Sequence, residues 1–290
     1  MIHGNRIVLG AYGGDSELYP FTTFTFTSAG ATGKDGPTSV QLSTAYSAEV
    51  WYADYFTNLS GIQYWTVPSS GNYTIETFGA SGGGGSYLGG FGSRMKGTFA
   101  LTTGMILKML VGQTGGPSYG GGGGGTFVAT DTNIPLIVSG GGNTLSAWSA
   151  IPSHAPTTTS GLNSSSGGIG GTLGSGGTGY NGSPGGAGFT GNGGVATCQV
   201  SVPLSFINGG TGSTSCNSIG GFGGGSASDG CCYGQSGPGG GYSGGGAGSG
   251  GSTYGGAGGS YNSGTSQSND AGNTGTAILV GNGKIIITKL

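Results

Sequence analysis

Two histidines, four cysteines and nine acidic residues are the groups of this 290-residue chain that could do chemistry. His3 lies in the N-terminal stretch and His154 in a Pro/Ser/Thr-rich loop, IPSHAPTTTS, and no His follows residue 154. G-x-S-x-G, the pattern of a nucleophile elbow, occurs at 79–83 and 241–245. That elbow needs a strand–turn–helix setting with an acid and a His later in the chain. Among 76 glycines such matches, and G-x-G-x-x-G matches with them, arise by chance. GATGKDG at 30–36 lacks the Lys-Ser/Thr that closes a phosphate loop. The acids are scattered, forming neither a carboxylate pair nor a calcium loop. The expectation is a chain that is not an enzyme and uses no cofactor.

Cys198, Cys216, Cys231 and Cys232 all fall in one late segment. Four cysteines allow three pairings, which sequence does not separate. A zinc site needs spaced pairs with tetrahedral reach, which the adjacent Cys231 and Cys232 fit poorly. Disulfides are therefore the first expectation, buried free thiols the alternative, and no metal site is expected.

The groups that must position any site are unusual. Glycine makes up 76 of 290 residues, against roughly 7% in average usage, and charged residues only 6%, against about 25%. No strict Gly-X-Y period marks collagen. A net charge of −2 supplies no basic surface for nucleic acid. With 33% hydrophobic and 10% aromatic residues, the chain lacks the low hydrophobicity and high net charge of a disordered one. No stretch approaches the ~20 apolar residues of a membrane span, so no membrane insertion is expected. The N-terminus shows no signal-peptide h-region, and the general secretory route is not expected.

Residues up to about 112 read as β-protein: TTFTFTSAG (22–30), GIQYWTVP (61–68), NYTIETFGA (72–80), RMKGTFAL (94–101) and MILKMLVG (105–112) are short Thr/Val/Ile/aromatic runs bounded by turn residues. In NYTIETFGA the alternation places Tyr73, Ile75 and Thr77 on one face. Such runs predict antiparallel sheets packed as a sandwich. AYSAEVWYADYFTNL (45–59) is the single plausible helix, though its five aromatics also suit a strand. Later strands are expected in TFVATDTNIPLIVSG (126–140), ATCQVSVPLSFING (196–209) and TAILVGNGKIIITKL (276–290), the last as a hairpin turning at Asn282-Gly283.

Between these runs lie glycine tracts, and no Lys or Arg occurs between Lys108 and Lys284. Gly loses the most backbone entropy on folding and buries no side chain, while its N–H and C=O still need partners. Extended three-residue-per-turn helices have no internal hydrogen bonds, and glycine lets several approach and bond sideways. The expected organisation is an N-terminal arm (1–20) and a composite β-sandwich (21–140 and 276–290) interrupted by a glycine-rich helical insertion (about 141–275).

YGGGGGGTFVATDTNIPLIVSGGGN, GGFGGGSASDGCCYGQSGPGGGYSGGGAG, GGSYNSG, GIQYWTVPSSGNYTIETFGASGG and MILKMLVGQTGG resemble the glycine-rich region of the anaplastic lymphoma kinase and leukocyte tyrosine kinase receptor ectodomains. The resemblance covers about residues 61–290. It implies an all-β fold, a jelly-roll sandwich related to tumour necrosis factor with an inserted bundle of polyglycine II helices. The order of motifs from FTFTSAGATGKDGPT onward is also similar to glycine-rich proteins of marine viruses and bacteriophages, among them phage adhesins whose helix-end loops bind the host receptor. No ligand-contact residue carries over from the receptors.

The expected function is that of a virion structural protein at the virion surface: a tail-fibre, tail-tip or capsid-fibre component that presents a binding surface to a host glycan or protein. Its other partners would be virion proteins or copies of itself, with a trimer suggested by the resemblance. Aromatics among Gly, Ser and Asn suit binding loops. The receptor-binding candidates are Trp148 and His154 in an uncharged irregular loop, with Tyr119 and Tyr180. Tyr233, Tyr242, Tyr254 and Tyr261 read equally as covers of a helix layer. The alternative function is a self-assembling extracellular filament or matrix subunit. An ice-binding protein ranks third, since it needs period-three Thr or Ala rows that 245–259 lacks.

Overall fold

A computed structural model describes residues 16–83, 89–116, 120–145, 152–180, 182–197, 201–215, 218–228, 236–248, 253–272 and 280–290. Wherever apolar residues alternate, the chain forms strands: β1 (Thr23–Phe26), β2 (Phe56–Leu59), β3 (Ile62–Thr66), β4 (Gly71–Phe78), β5 (Arg94–Leu101), β6 (Ile106–Leu110), β7 (Thr126–Thr130) and β8 (Pro135–Ser139). β9 (Tyr261–Asn262), β10 (Thr265–Asp270) and β11 (Lys284–Lys289) complete two antiparallel sheets, ordered β1-β11-β4-β5-β10 and β2-β3-β6-β7-β8-β9. The architecture is an all-β sandwich.

The inward faces follow the period of two. Tyr73, Ile75 and Thr77 of β4 are all buried, as the alternation predicts. They share the central core with Met95, Phe99, Ile285 and Ile287 of the same sheet and Trp65, Leu107, Met109, Val128 and Ile137 of the other. The second sheet is also buried on its outer face. Ile62, Leu110, Phe127, Ala129 and Val138 pack there against Phe189, Phe206 and Phe222, which come from the glycine-rich part of the chain. Burial on both faces explains why β6–β8 read as nearly continuous apolar runs.

Three expectations are corrected. The 45–59 helix is replaced by α1 (Ser39–Tyr46), α2 (Tyr52–Tyr55) and β2. A Thr38/Gln41 capping box starts α1 six residues before the expected position, and Phe56 adopts extended φ/ψ to pair with Trp65 of β3. The C-terminal segment does not turn at Asn282-Gly283 as a type I′ hairpin: β11 is bonded between β1 and β4. The positive φ there belongs to Gly281. Asn282 serves instead as a tie. Its Oδ1 accepts from the Thr114 N–H at 2.9 Å, and its amide donates to Ser28 Oγ and the Ala31 carbonyl. Residues 276–279 of that expected strand lie outside the described residues. The described part of 196–209 holds a 3-10 turn, Phe206–Asn208, and no strand, because Phe206 turns into the outer-face core.

β10 carries no apolar side chain and joins β5 through its backbone, side-chain hydrogen bonds of Thr265, Ser268 and Asn269, and one ion cluster. Arg94 bonds Glu76 of β4 through Nε at 2.5 Å and Asp270 of β10 through Nη1 at 2.8 Å. At the other end, Glu17 pairs with Lys289 at 2.8 Å and Tyr19 is buried in the core, so residues 17–19 pack on the sandwich.

The glycine segments are extended and bonded sideways to segments distant in sequence. Gly122, Gly123, Gly124 and Gly125 donate in turn to the carbonyls of Ser226, Gly142, Gln113 and Gly223 at 2.8–3.0 Å. Residues three apart thus face the same neighbour. Gly121, Gly122, Gly123 and Gly124 accept from Gly83, Gly221, Gly240 and Ala80. Gly168 and Gly171 on one arm and Gly174 and Gly177 on the next are buried, whereas Ile169, Thr172, Ser175 and Thr178 are exposed; the two arms are joined by a turn at Leu173 and Gly174, whose φ are 53° and 87°.

Candidate functional site

Trp148, Tyr119 and the four cysteines, Cys198, Cys216, Cys231 and Cys232, lie outside the described residues, as does Tyr233. His154 is engaged internally. Its Nδ1 accepts the Phe91 N–H at 3.0 Å, its ring lies on the Phe91 ring with centroids 5.2 Å apart, and Ala155 donates to the Phe91 carbonyl. Burial pushes the imidazole below its ordinary pKa, so it is neutral at pH 7. The fold thus favours the neutral ring. Stability is complete above the unfolded value of about 6.5 and is lost as pH falls through the lowered folded value. Urea midpoints measured between pH 7 and 5 should fall, and His154→Gln, which keeps an acceptor but cannot titrate, should flatten that slope.

Tyr180 is 40% exposed, with its ring over Gly167 and its backbone paired to Ser183. Neighbouring segments expose Ile169, Leu173 and Val195, forming a face without charge. Tyr242 and Tyr261 stack on each other at 4.6 Å against the outer-face core, as covers rather than presented groups.

A cleft of about 450 Å³ opens where the sandwich meets the glycine segments. One wall is the loop Asp35–Ser39 leading into α1. The opposite wall is the turn between β2 and β3, with Asn58, Ser60 and Gly61, and Thr211 closes the end. Ser60 and Gly61 take left-handed φ of 49° and 83° to make the turn. Gly61 touches Gly36 backbone to backbone, so a β-carbon at either would overlap the other's Cα. The loop is fastened from behind by Gly212 N–H to the Lys34 carbonyl at 2.9 Å and Phe222 N–H to the Gly33 carbonyl at 2.7 Å.

The cleft sets a few hydrogen-bonding groups in a mostly apolar lining. Thr38 is occupied by its capping box and Asp35 by Lys34, 2.6 Å away. The side chains of Ser39, Asn58, Ser60 and Thr211 have no partner among the described residues. No His and no second carboxylate lines it. Among the described residues no group of three or more His, Cys, Asp or Glu could hold a metal ion. The motifs gave no warning of this site beyond GATGKDG, whose last glycine is Gly36. Its residues meet only through the contact with Gly61.

No family model matches the chain. Fold and site define an all-β protein whose glycine-rich segments are packed on one sheet and whose surface offers a cleft with a few hydrogen-bonding groups and no unpaired charge. Over 102 residues, a third of its length, the chain is 36% identical to leukocyte tyrosine kinase receptor of Mus musculus, and it covers 12% of that receptor. This likeness supports the resemblance to that receptor type for the matched part. No helix among the described residues is long and apolar enough to cross a membrane.

Proposed function

We propose that this chain is a non-enzymatic structural protein of a virion, a tail-fibre, tail-tip or capsid-fibre component that presents a binding surface to a host-cell glycan or protein. The observation that carries the reading is the sideways backbone bonding of the glycine segments, in which Gly122 and Gly125 face one neighbouring segment and Gly121 and Gly124 another. We read these as polyglycine II helices bundled on a jelly-roll-type sandwich. Such a bundle is held by backbone hydrogen bonds in several directions and carries no charge from residue 132 to 228. It is therefore stiff, and trypsin has no site in it. The part of 1–20 that precedes the packed residues 17–19 would attach it to other virion proteins, and a homotrimer is the favoured assembly.

An antibody against residues 144–166 tests this by electron microscopy of the native assembly. Label on fibres or tips of phage-like particles, with infection blocked by the same antibody, is the expected result. Label along continuous filaments without capsids would overturn it in favour of a self-assembling extracellular fibre subunit. One observation favours that second reading. The N–H groups of Gly176 and Gly179, and of Asn192 and Val195 on the adjacent segment, are three residues apart and have no acceptor among the described residues. They form an open edge without the charges that usually protect one.

A further inference from the structure

We infer that the cleft between the Asp35–Ser39 loop and the β2–β3 turn is a glycan subsite that takes one or two neutral sugar units. The inference rests on the reading of the chain as a host-binding surface protein. Its volume of about 450 Å³ falls in the roughly 300–1,000 Å³ range of small-ligand sites.

The free groups decide the ligand class. Ser39, Ser60 and Thr211 each offer a hydroxyl that both donates and accepts, and Asn58 a carboxamide with two donors and an acceptor. Sugar hydroxyls are likewise both donor and acceptor, and several in a row match such a set. Lys34 and Asp35 bond each other at 2.6 and 2.8 Å, so no unpaired charge is offered to a ligand, which favours a neutral one.

The walls are preorganised. The Gly36–Gly61 contact, the capping box and the bonds from Gly212 and Phe222 hold both sides without the ligand. Binding then spends little free energy on ordering the site.

The test uses the purified full-length chain on an array of neutral and charged oligosaccharides, followed by titration with the retained glycan. Binding of at least one neutral oligosaccharide is expected. Asn58→Ala and Thr211→Val should each weaken it about tenfold, the loss of one well-placed hydrogen bond. Both side chains are half-buried and make no hydrogen bond within the described residues, so thermal midpoints should stay near the parent value. Tyr180→Ala, outside the cleft lining, should leave binding unchanged. Retention of no neutral glycan overturns the inference, and so does binding that survives both cleft substitutions. These failures are distinct from failure of the virion reading: a blank array with label on particle tips removes only the cleft, whereas glycan binding with label on filaments removes only the virion.

Discussion

Replacing Gly124 with Ala should destabilise the chain by about 3–5 kcal/mol, seen as a large drop in the urea midpoint. Gly124 donates to the Gln113 carbonyl and accepts from the Ala80 N–H, both at 3.0 Å, while its Cα lies against the Phe222 carbonyl oxygen. A β-carbon would overlap that oxygen. Relief requires moving the 220–225 segment, which is itself bonded to Gly122, Gln113 and Gly125. Overpacking costs typically 1–3 kcal/mol, and each lost backbone bond about 1 kcal/mol more. Gly116→Ala is the internal comparison. Its β-carbon would come within 3.2 Å of Ile219 Cβ, with no backbone atom in its way, a contact relieved by a shift of a few tenths of an ångström. That change should stay within about 1 kcal/mol, since Ala also restricts the unfolded chain. Equal midpoints for the two variants would show that the glycine segments are not close-packed around residue 124.

Phe206→Ala should cost about 3–5 kcal/mol and uncouple the glycine segments from the sandwich. The Phe206 ring stacks between Phe127 of β7 and Phe189, with both centroids 5.0 Å away, and Lys108 Nζ lies 4.8 Å from its centre. Lys108 is nearly buried, bonded to Asn133 Oδ1 at 2.8 Å, and burial lowers its pKa. Removing the ring opens a cavity and strips the cation of its cover. The expected signature is a thermal transition that broadens or splits, with cleavage of the glycine-rich part by elastase before the sandwich unfolds. Ile207→Ala, next to it and 39% exposed, should change stability by less than about 1 kcal/mol. A single sharp transition and an unchanged cleavage pattern in Phe206→Ala would show that other contacts join the two parts.

Short β-branched, aromatic and apolar runs by themselves marked the β-rich class and the places of β1 and β3–β6, while the single run expected over 126–140 is two strands, β7 and β8. Tyr73, Ile75 and Thr77 take the inward face because a period of two leaves no other way to bury them. The lack of charge likewise marked the glycine tracts as something other than a solvated linker. Tertiary structure decided the rest. β10 is written in polar residues, and it exists because the exposed edge of β5 and Arg94 receive it. Asn282-Gly283 satisfies the local pattern of a hairpin, yet Asn282 is claimed by Thr114, Ser28 and Ala31 from far along the chain. Which glycine faces which is also not written locally, because a residue without a side chain carries no label for its partner. Gly123 meets Gly142 and Gly240 only when the whole array assembles. The cleft arises the same way: its hydroxyl and amide groups are unremarkable in order along the chain, and become a site only where Gly36 and Gly61 bring two backbones into contact.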